Sequence, residues 1–102
     1  MAEVRPIPFV RPKFRLGQVV CTAGIHALMT EDGGFAEFVF GSLGRHWLGD
    51  WGELDEEDRR ENELSVEKGF RLLSAYSRNG QKIWIITEAD RSATTVLFPD
   101  DY

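Results

Sequence analysis

The residues best able to do chemistry in this 102-residue chain are carboxylates, which crowd residues 50–67. Nine acids stand there against Arg59 and Arg60, so the segment has a net charge of −7. Carboxylates at this density could bind a divalent cation, act as general acid and base, or form a contact surface for a basic partner. These three possibilities place different demands on spacing and burial.

A calcium loop requires ligands at fixed positions, and this segment does not supply them. An EF-hand register starting at Asp50 puts Gly52 at the third position, Leu54 at the fifth and Asp55 at the sixth. The motif requires oxygen ligands at the third and fifth positions and a glycine at the sixth. We therefore predict no metal site in this segment.

The sequence also gives little support for a catalytic site. Acids along one exposed helix are seldom desolvated enough to shift their pKa values for acid–base work. Cys21, His26 and His46 lack the short spacing of a transition-metal site, and nothing around Cys21 supports a nucleophile. The glycines at 41, 44, 49 and 52 do not form a phosphate-binding loop. We predict a protein that is not an enzyme and needs no cofactor.

Composition places the chain among small globular proteins. Hydrophobic residues make up 42% and aromatic residues 12%, enough for one modest core. The single cysteine, Cys21, cannot form an internal disulfide and fits a reducing compartment. No apolar run approaches the ~20 residues of a membrane helix, and the N-terminus lacks the features of a signal peptide. We expect a soluble cytoplasmic protein.

The N-terminus differs in charge and composition from the rest. Residues 1–13 contain Pro6, Pro8 and Pro12 among basic residues, which predicts an extended arm ahead of a single globular domain at 14–102. Residues 1–15 carry a net charge of +3, whereas the whole chain carries −5. The acidic balance disfavours contact with phosphate backbones and favours a basic protein partner. Nucleic-acid binding through the arm and the sheet aromatics is the weaker alternative.

Periodicity in the first half of the chain indicates one strand followed by helices. β-branched residues predict a short strand at residues 16–22. Ile25, Leu28 and Met29 share one face of a short helix, which Gly33 and Gly34 would end. A longer apolar stripe at helical spacing predicts a second helix and comprises Phe35, Phe38, Val39, Leu43 and Trp47.

The second half predicts an acidic helix and an antiparallel meander. Asp55 is placed as an N-cap, and the acids that follow it stabilise a helix N-terminus. Asn79-Gly80 is a hairpin signal that sets Tyr76 opposite Ile83, and "TTVLF" supplies a third strand. The fold class is α+β, with a short N-terminal strand, two or three helices and a C-terminal three-stranded antiparallel meander.

The central strand of this meander has apolar residues on both faces. Ile83 and Ile85 point to one face, and Trp84 and Ile86 point to the other. Few short helices are available to cover both faces. We therefore consider a homodimer face formed by Leu73, Trp84, Ile86 and Leu97, as in a small dimeric accessory or regulatory protein whose acidic helix only maintains solubility.

The strings "GDWGELDEEDRRENE", "GFRLLSAY" and "KIWIITEADRSATTVLFPDDY" carry a family resemblance. Over residues 14–102 the chain resembles small proteins of plasmids, phages and integrated elements that are labelled "plasmid-related protein" or "type I restriction endonuclease subunit M". A methyltransferase activity is not implied, because the chain has no room for a cofactor domain and no NPP[YF]-type loop. The resemblance implies a non-enzymatic role beside host restriction or CRISPR systems.

These observations converge on one hypothesis for the acidic segment. We expect it to be held outward on a helix and to engage a basic protein surface, with interference in a nucleic-acid-directed defence as the sharper version. The residues predicted to bind the partner are Asp50, Trp51, Glu53, Asp55, Glu56, Glu57, Asp58 and Glu61.

Overall fold

The fold combines three helices with one four-stranded sheet. The computed structural model describes residues 2–8 and 11–102; Met1, Phe9 and Val10, which belong to the predicted arm, lie outside the described residues. The elements are β1 (Gln18–Cys21), α1 (Ala23–Glu31), α2 (Gly33–Trp47), α3 (Glu56–Lys68), β2 (Leu72–Arg78), β3 (Gln81–Thr87), β4 (Ala93–Leu97) and a 3-10 turn (Pro99–Asp101). The predicted α+β class is confirmed.

The C-terminal hairpin has the register that its turn residues predict. Asn79 and Gly80 both have positive φ, at 50° and 77°, as a type I′ turn requires. Arg78 lies opposite Gln81, and Tyr76 lies opposite Ile83. β4 then returns antiparallel to β3, which completes the predicted meander.

The sheet is mixed, which the sequence did not indicate. Its strand order is β1-β4-β3-β2, and β1 runs parallel to β4, with Gln18 opposite Ala93 and Cys21 opposite Val96. β1 is also shorter than the strand predicted at residues 16–22. A parallel pair between strands so distant in sequence leaves no local turn signal, because the whole of the helical region and the hairpin intervenes.

The boundary between α1 and α2 differs from the expectation for Gly33 and Gly34. These glycines are the first two residues of α2, and only Asp32 separates them from the end of α1 at Glu31. The side chain of Asp32 accepts hydrogen bonds from the backbone N–H groups of Gly34 and Phe35, at 3.0 and 3.1 Å. Asp32 therefore caps α2, and the helix begins at the cap.

The core lies between one face of the sheet and the first two helices. α1 contributes Ile25, α2 contributes Phe35 and Val39, and sheet residues on the facing side complete the cluster. Those sheet residues are Tyr76, Ile83, Ile85 and Val96. The predicted helical stripe is thus the buried face of α2 at its first two turns, whereas Trp47 at its end is 40% exposed.

The N-terminal arm stands apart from this core. Residues 2–8 and 11–17 form no helix or strand, and Val4 and Ile7 are 93% and 71% exposed. The arm joins the body where the N–H of Lys13 donates to the carbonyl of Trp47 at 2.9 Å. Phe14 then packs edge-on against His46, with ring centroids 5.1 Å apart.

Candidate functional site

The acidic segment begins by covering the outer edge of β2. The N–H of Ala75 donates to the carbonyl of Trp51, and the carbonyl of Ala75 accepts from Glu53, at 3.3 and 2.8 Å. Gly52 makes this approach possible because its φ is +72°, and a Cβ there would overlap the carbonyl oxygen of Ala75. The Asp50–Glu53 turn therefore acts as a short extra strand.

One residue of α3 covers the rest of that edge. The side-chain amide of Asn62 donates to the carbonyl of Leu73 at 2.6 Å and accepts from its N–H at 3.3 Å. Through these two bonds Asn62, which is only 5% exposed, replaces the strand partner that Leu73 lacks. This contact fixes α3 against the sheet although few apolar residues of the helix are buried.

Trp51 lies inside the protein, and the prediction that it contacts a partner is wrong for the folded chain. It is 2% exposed, stacks on Phe14 at 6.1 Å and meets His46 edge-on at 5.7 Å. Its Nε1–H donates to Glu63 of α3 at 2.9 Å. The large ring is buried because it anchors both the arm root and the acidic helix.

Two of the predicted contact acids already have partners within the chain. Asp50 accepts two hydrogen bonds from Arg45, at 2.7 and 3.2 Å, and this guanidinium holds the pKa of Asp50 below its usual value. Glu53 accepts from the hydroxyl of Ser77 at 2.7 Å. Both carboxylates are exposed, but they help to shape the turn that covers β2.

The helix itself begins as the sequence predicts. Asp55 caps α3 by accepting from the N–H of Asp58 at 2.8 Å. Arg59 donates to the carbonyls of Leu54 and Gly52, at 3.0 and 2.6 Å, so it secures the preceding turn instead of pairing with Asp55. These bonds tie the N-terminus of α3 to the turn that covers β2.

The remaining acids form an outward-facing group that we call the acidic surface, defined by Glu56, Glu57, Asp58 and Glu61. All four are exposed. Glu56 lies 3.7 Å from Arg60 in an exposed pair that contributes little. Among the described residues, the other three have no salt-bridge partner. The expectation that carboxylates are held outward on a helix is confirmed for these four.

A shallow groove of about 290 Å³ runs between α3 and β2 beside the acidic surface. Asp58 and Glu61 lie on its helical side, and Leu54 and Leu73 give it an apolar part. Arg71, the residue before β2, adds one positive charge at the border of the groove. The groove thus combines carboxylates with an apolar lining, which is the pattern that a long basic side chain requires.

The predicted oligomer face is largely filled by the chain itself. Ile86 and Leu97 are 3% and 5% exposed, whereas Leu73 and Trp84 are half-buried. The C-terminal Tyr102 packs edge-on against Trp84, with ring centroids 5.8 Å apart. Two of the four residues therefore retain contact with solvent, and association through this face stays a prediction.

A buried polar network under α2 was not anticipated from the sequence. Thr94 donates to the carbonyl of Leu16 at 2.8 Å, so it can only accept from Thr87, at 2.7 Å. Thr87 in turn accepts from Nε2–H of His46 at 2.8 Å, and Nδ1 of His46 accepts from the hydroxyl of Ser74. The only hint in the sequence is that polar residues recur at inward positions of all three strands of the meander.

This network contains a histidine and a serine in contact, but neither side chain is accessible to solvent. His46 and Ser74 are each 0% exposed. Burial, with a smaller contribution from the Arg91 guanidinium, lowers the pKa of His46 from 6.5 to about 3. Both ring nitrogens bond to hydroxyl groups, so neither is free to pair with the thiol of Cys21.

Residues 2–8 and 11–102 contain no cluster of three histidine, cysteine or acidic side chains suited to a metal ion. Nor does this part of the chain contain a helix long and apolar enough to cross a membrane. Comparison of the chain with protein-family models, curated proteins and solved structures finds no match.

Proposed function

We propose that this protein is a non-enzymatic binding module whose acidic surface engages a basic surface of another protein. The observation that carries this proposal is the contrast between the two sides of α3. Its inner side is fixed by Asn62 and Glu63, and its outer side presents exposed carboxylates. A charged group held in place in advance loses less entropy on binding than a mobile one.

The groove beside α3 indicates which side chains a partner would offer. The aliphatic stem of a lysine or arginine can lie along Leu54 and Leu73, and its cationic end can then reach Asp58 or Glu61. An arginine would gain the geometric advantage of paired hydrogen bonds to a carboxylate. We therefore expect arginine-rich and lysine-rich surfaces to be favoured over neutral ones.

Proteins that bind nucleic acids are the leading class of partner under this proposal. Their binding surfaces concentrate lysine and arginine for contact with phosphates, and a row of carboxylates can occupy the same positions. The resemblance to plasmid-borne and phage-borne proteins supports a target in a restriction or CRISPR system. Binding there would block access of the nucleic acid.

The test compares two variants of equal net charge. Glu57, Asp58 and Glu61 are replaced by lysine in one variant, and the exposed Glu31, Glu37 and Glu88 are replaced by lysine in the control. Each is immobilised and exposed to host lysate at several salt concentrations, and retained proteins are identified by mass spectrometry. Purified partners are then tested for competition with their nucleic acid.

The proposal expects the first variant to lose its partner while the control retains it. Replacing these three carboxylates with lysines should weaken binding at least ~10-fold. Binding of the wild type should weaken as the salt concentration rises. Equal loss in both variants would mean that only net charge matters. Equal retention in both would reject the acidic surface as the contact.

A further inference from the structure

The outer edge of β1 is open, at the side of the sheet opposite to α3. Gln18 and Thr22 direct their N–H groups toward β4, each with a hydrogen bond of 3.0 Å. Alternation then turns the N–H and carbonyl groups of Val19 and Cys21 away from the sheet. No backbone or side-chain group of the described residues bonds to them. A strand could pair there with no rearrangement of the fold.

An uncharged groove flanks this edge. Val19 and Phe40 are 46% and 66% exposed, and a cavity of about 110 Å³ between them is lined only by apolar and sulfur-containing side chains. A wider groove, which also includes the basic residues Lys13 and Arg15, shares Val19 and extends past Trp47 to Pro12. Isolated edge strands are usually protected by charge, proline or a bulge, and Gln18–Cys21 has none of these.

The N-terminal arm has the sequence of a strand that can pair on one side only. Pro6 and Pro8 lack an N–H group, and both would face the same side of an extended chain. Arg5 and Ile7 would direct their N–H and carbonyl groups to the other side. Prolines with this spacing are compatible with an edge strand and exclude a central one.

We propose that a second copy of this chain covers the open edge: residues 4–8 of each copy pair with β1 of the other. Arg5 and Ile7 then bond to Val19 and Cys21, and the exposed Ile7 side chain gains apolar contacts at the groove. The intervening residues 9–13 can span up to about 17 Å.

A second copy fits this site better than the arm of the same chain. Pro8 and Pro12 favour extended backbone before them, which opposes a reversal of the arm onto its own β1. This inference does not depend on the proposed function, since the acidic surface lies at the other edge of the sheet.

The decisive experiment places a proline on each side of the arm in turn. Ile7→Pro removes an N–H group that faces β1, whereas the matched Val4→Pro removes one that faces solvent on the side of Pro6 and Pro8. Both positions lie in the exposed arm, so the fold is preserved in either variant, which circular dichroism verifies. Sedimentation equilibrium over a wide range of concentration measures the dimer dissociation constant.

Wild type should form a dimer, and Val4→Pro should change its dissociation constant by no more than about threefold. Ile7→Pro should raise the constant by at least ~30-fold, since each dimer loses one hydrogen bond per arm. Hydrogen exchange at the Val19 and Cys21 amides should slow with wild-type concentration but not in Ile7→Pro. A wild type that is monomeric throughout, or equal effects of the two prolines, overturns the proposal.

Discussion

The two edges of the sheet differ in whether their outward backbone groups are hydrogen-bonded. At β2, residues 51–53 and Asn62 together satisfy the outward backbone groups of Leu73 and Ala75. At β1, the corresponding groups of Val19 and Cys21 have no partner among the described residues. The acidic segment therefore has two roles. Its first residues cover the edge of β2, and its helix presents carboxylates to solvent.

Acidification should produce the largest change in the free energy of unfolding, because the His46 network reaches from Ser74 in β2 to the carbonyl of Leu16 shortly before β1. The unfolded chain binds a proton on this histidine near pH 6.5, and the folded chain binds it only near pH 3. The unfolded state therefore holds more protons between these values, and stability falls as pH falls. The full loss is ~4–5 kcal/mol, of which ~2 kcal/mol is lost by pH 5.

Urea unfolding at a series of pH values measures this effect. His46→Gln should remove the part of the slope between pH 7 and pH 5, and the control His26→Gln, at an exposed histidine, should retain it. An unchanged slope in His46→Gln would show that another group is responsible.

Gly52→Ala should disrupt the turn that covers β2 and lower the free energy of unfolding by about 3 kcal/mol. The added Cβ would overlap the carbonyl of Ala75, and alanine is strained at a φ of +72°. Gly69→Ala is the matched control, because its φ is +79° but no atom lies within 4 Å of the place that a Cβ would take. The difference in free energy of unfolding between the two isolates the overlap, and equal losses would contradict this account.

Asn62→Ala should lower the free energy of unfolding by about 2 kcal/mol, since it leaves the N–H and carbonyl of Leu73 without their partner.

A polar change at the open edge should have a much smaller effect than Asn62→Ala. Val19→Lys, at a half-exposed position, should alter the free energy of unfolding of the isolated monomer by less than about 0.5 kcal/mol. Thermal unfolding at low protein concentration compares them. Similar losses at both positions would erase the distinction between the edges.

The sequence predicts those parts of the fold that depend on neighbours along the chain. The Asn79-Gly80 turn fixes the hairpin register, and Asp55 fixes the start of α3, because each acts within a few residues. The outward position of Glu57 and Glu61 follows from the same local periodicity. For these features, propensity and tertiary structure agree.

The features that sequence reasoning misses depend on contacts between distant segments. The acidic residues around Trp51 suggest a surface position, but Phe14 and His46 enclose its ring from elsewhere in the chain. The parallel pairing of β1 and the cover that Asn62 gives to β2 also join segments without a shared local signal. Spacing along the sequence cannot rank such contacts before the sheet order is known.

The hydrogen-bond network of His46 has a mechanical consequence. It links a hydroxyl from each of β2, β3 and β4 through one imidazole ring and ends at the carbonyl of Leu16, shortly before β1. Every donor in the series points the same way, so β2, β3 and β4 cannot separate without leaving a buried polar group unpaired. We expect fraying to be suppressed and the four strands to melt as one cooperative unit.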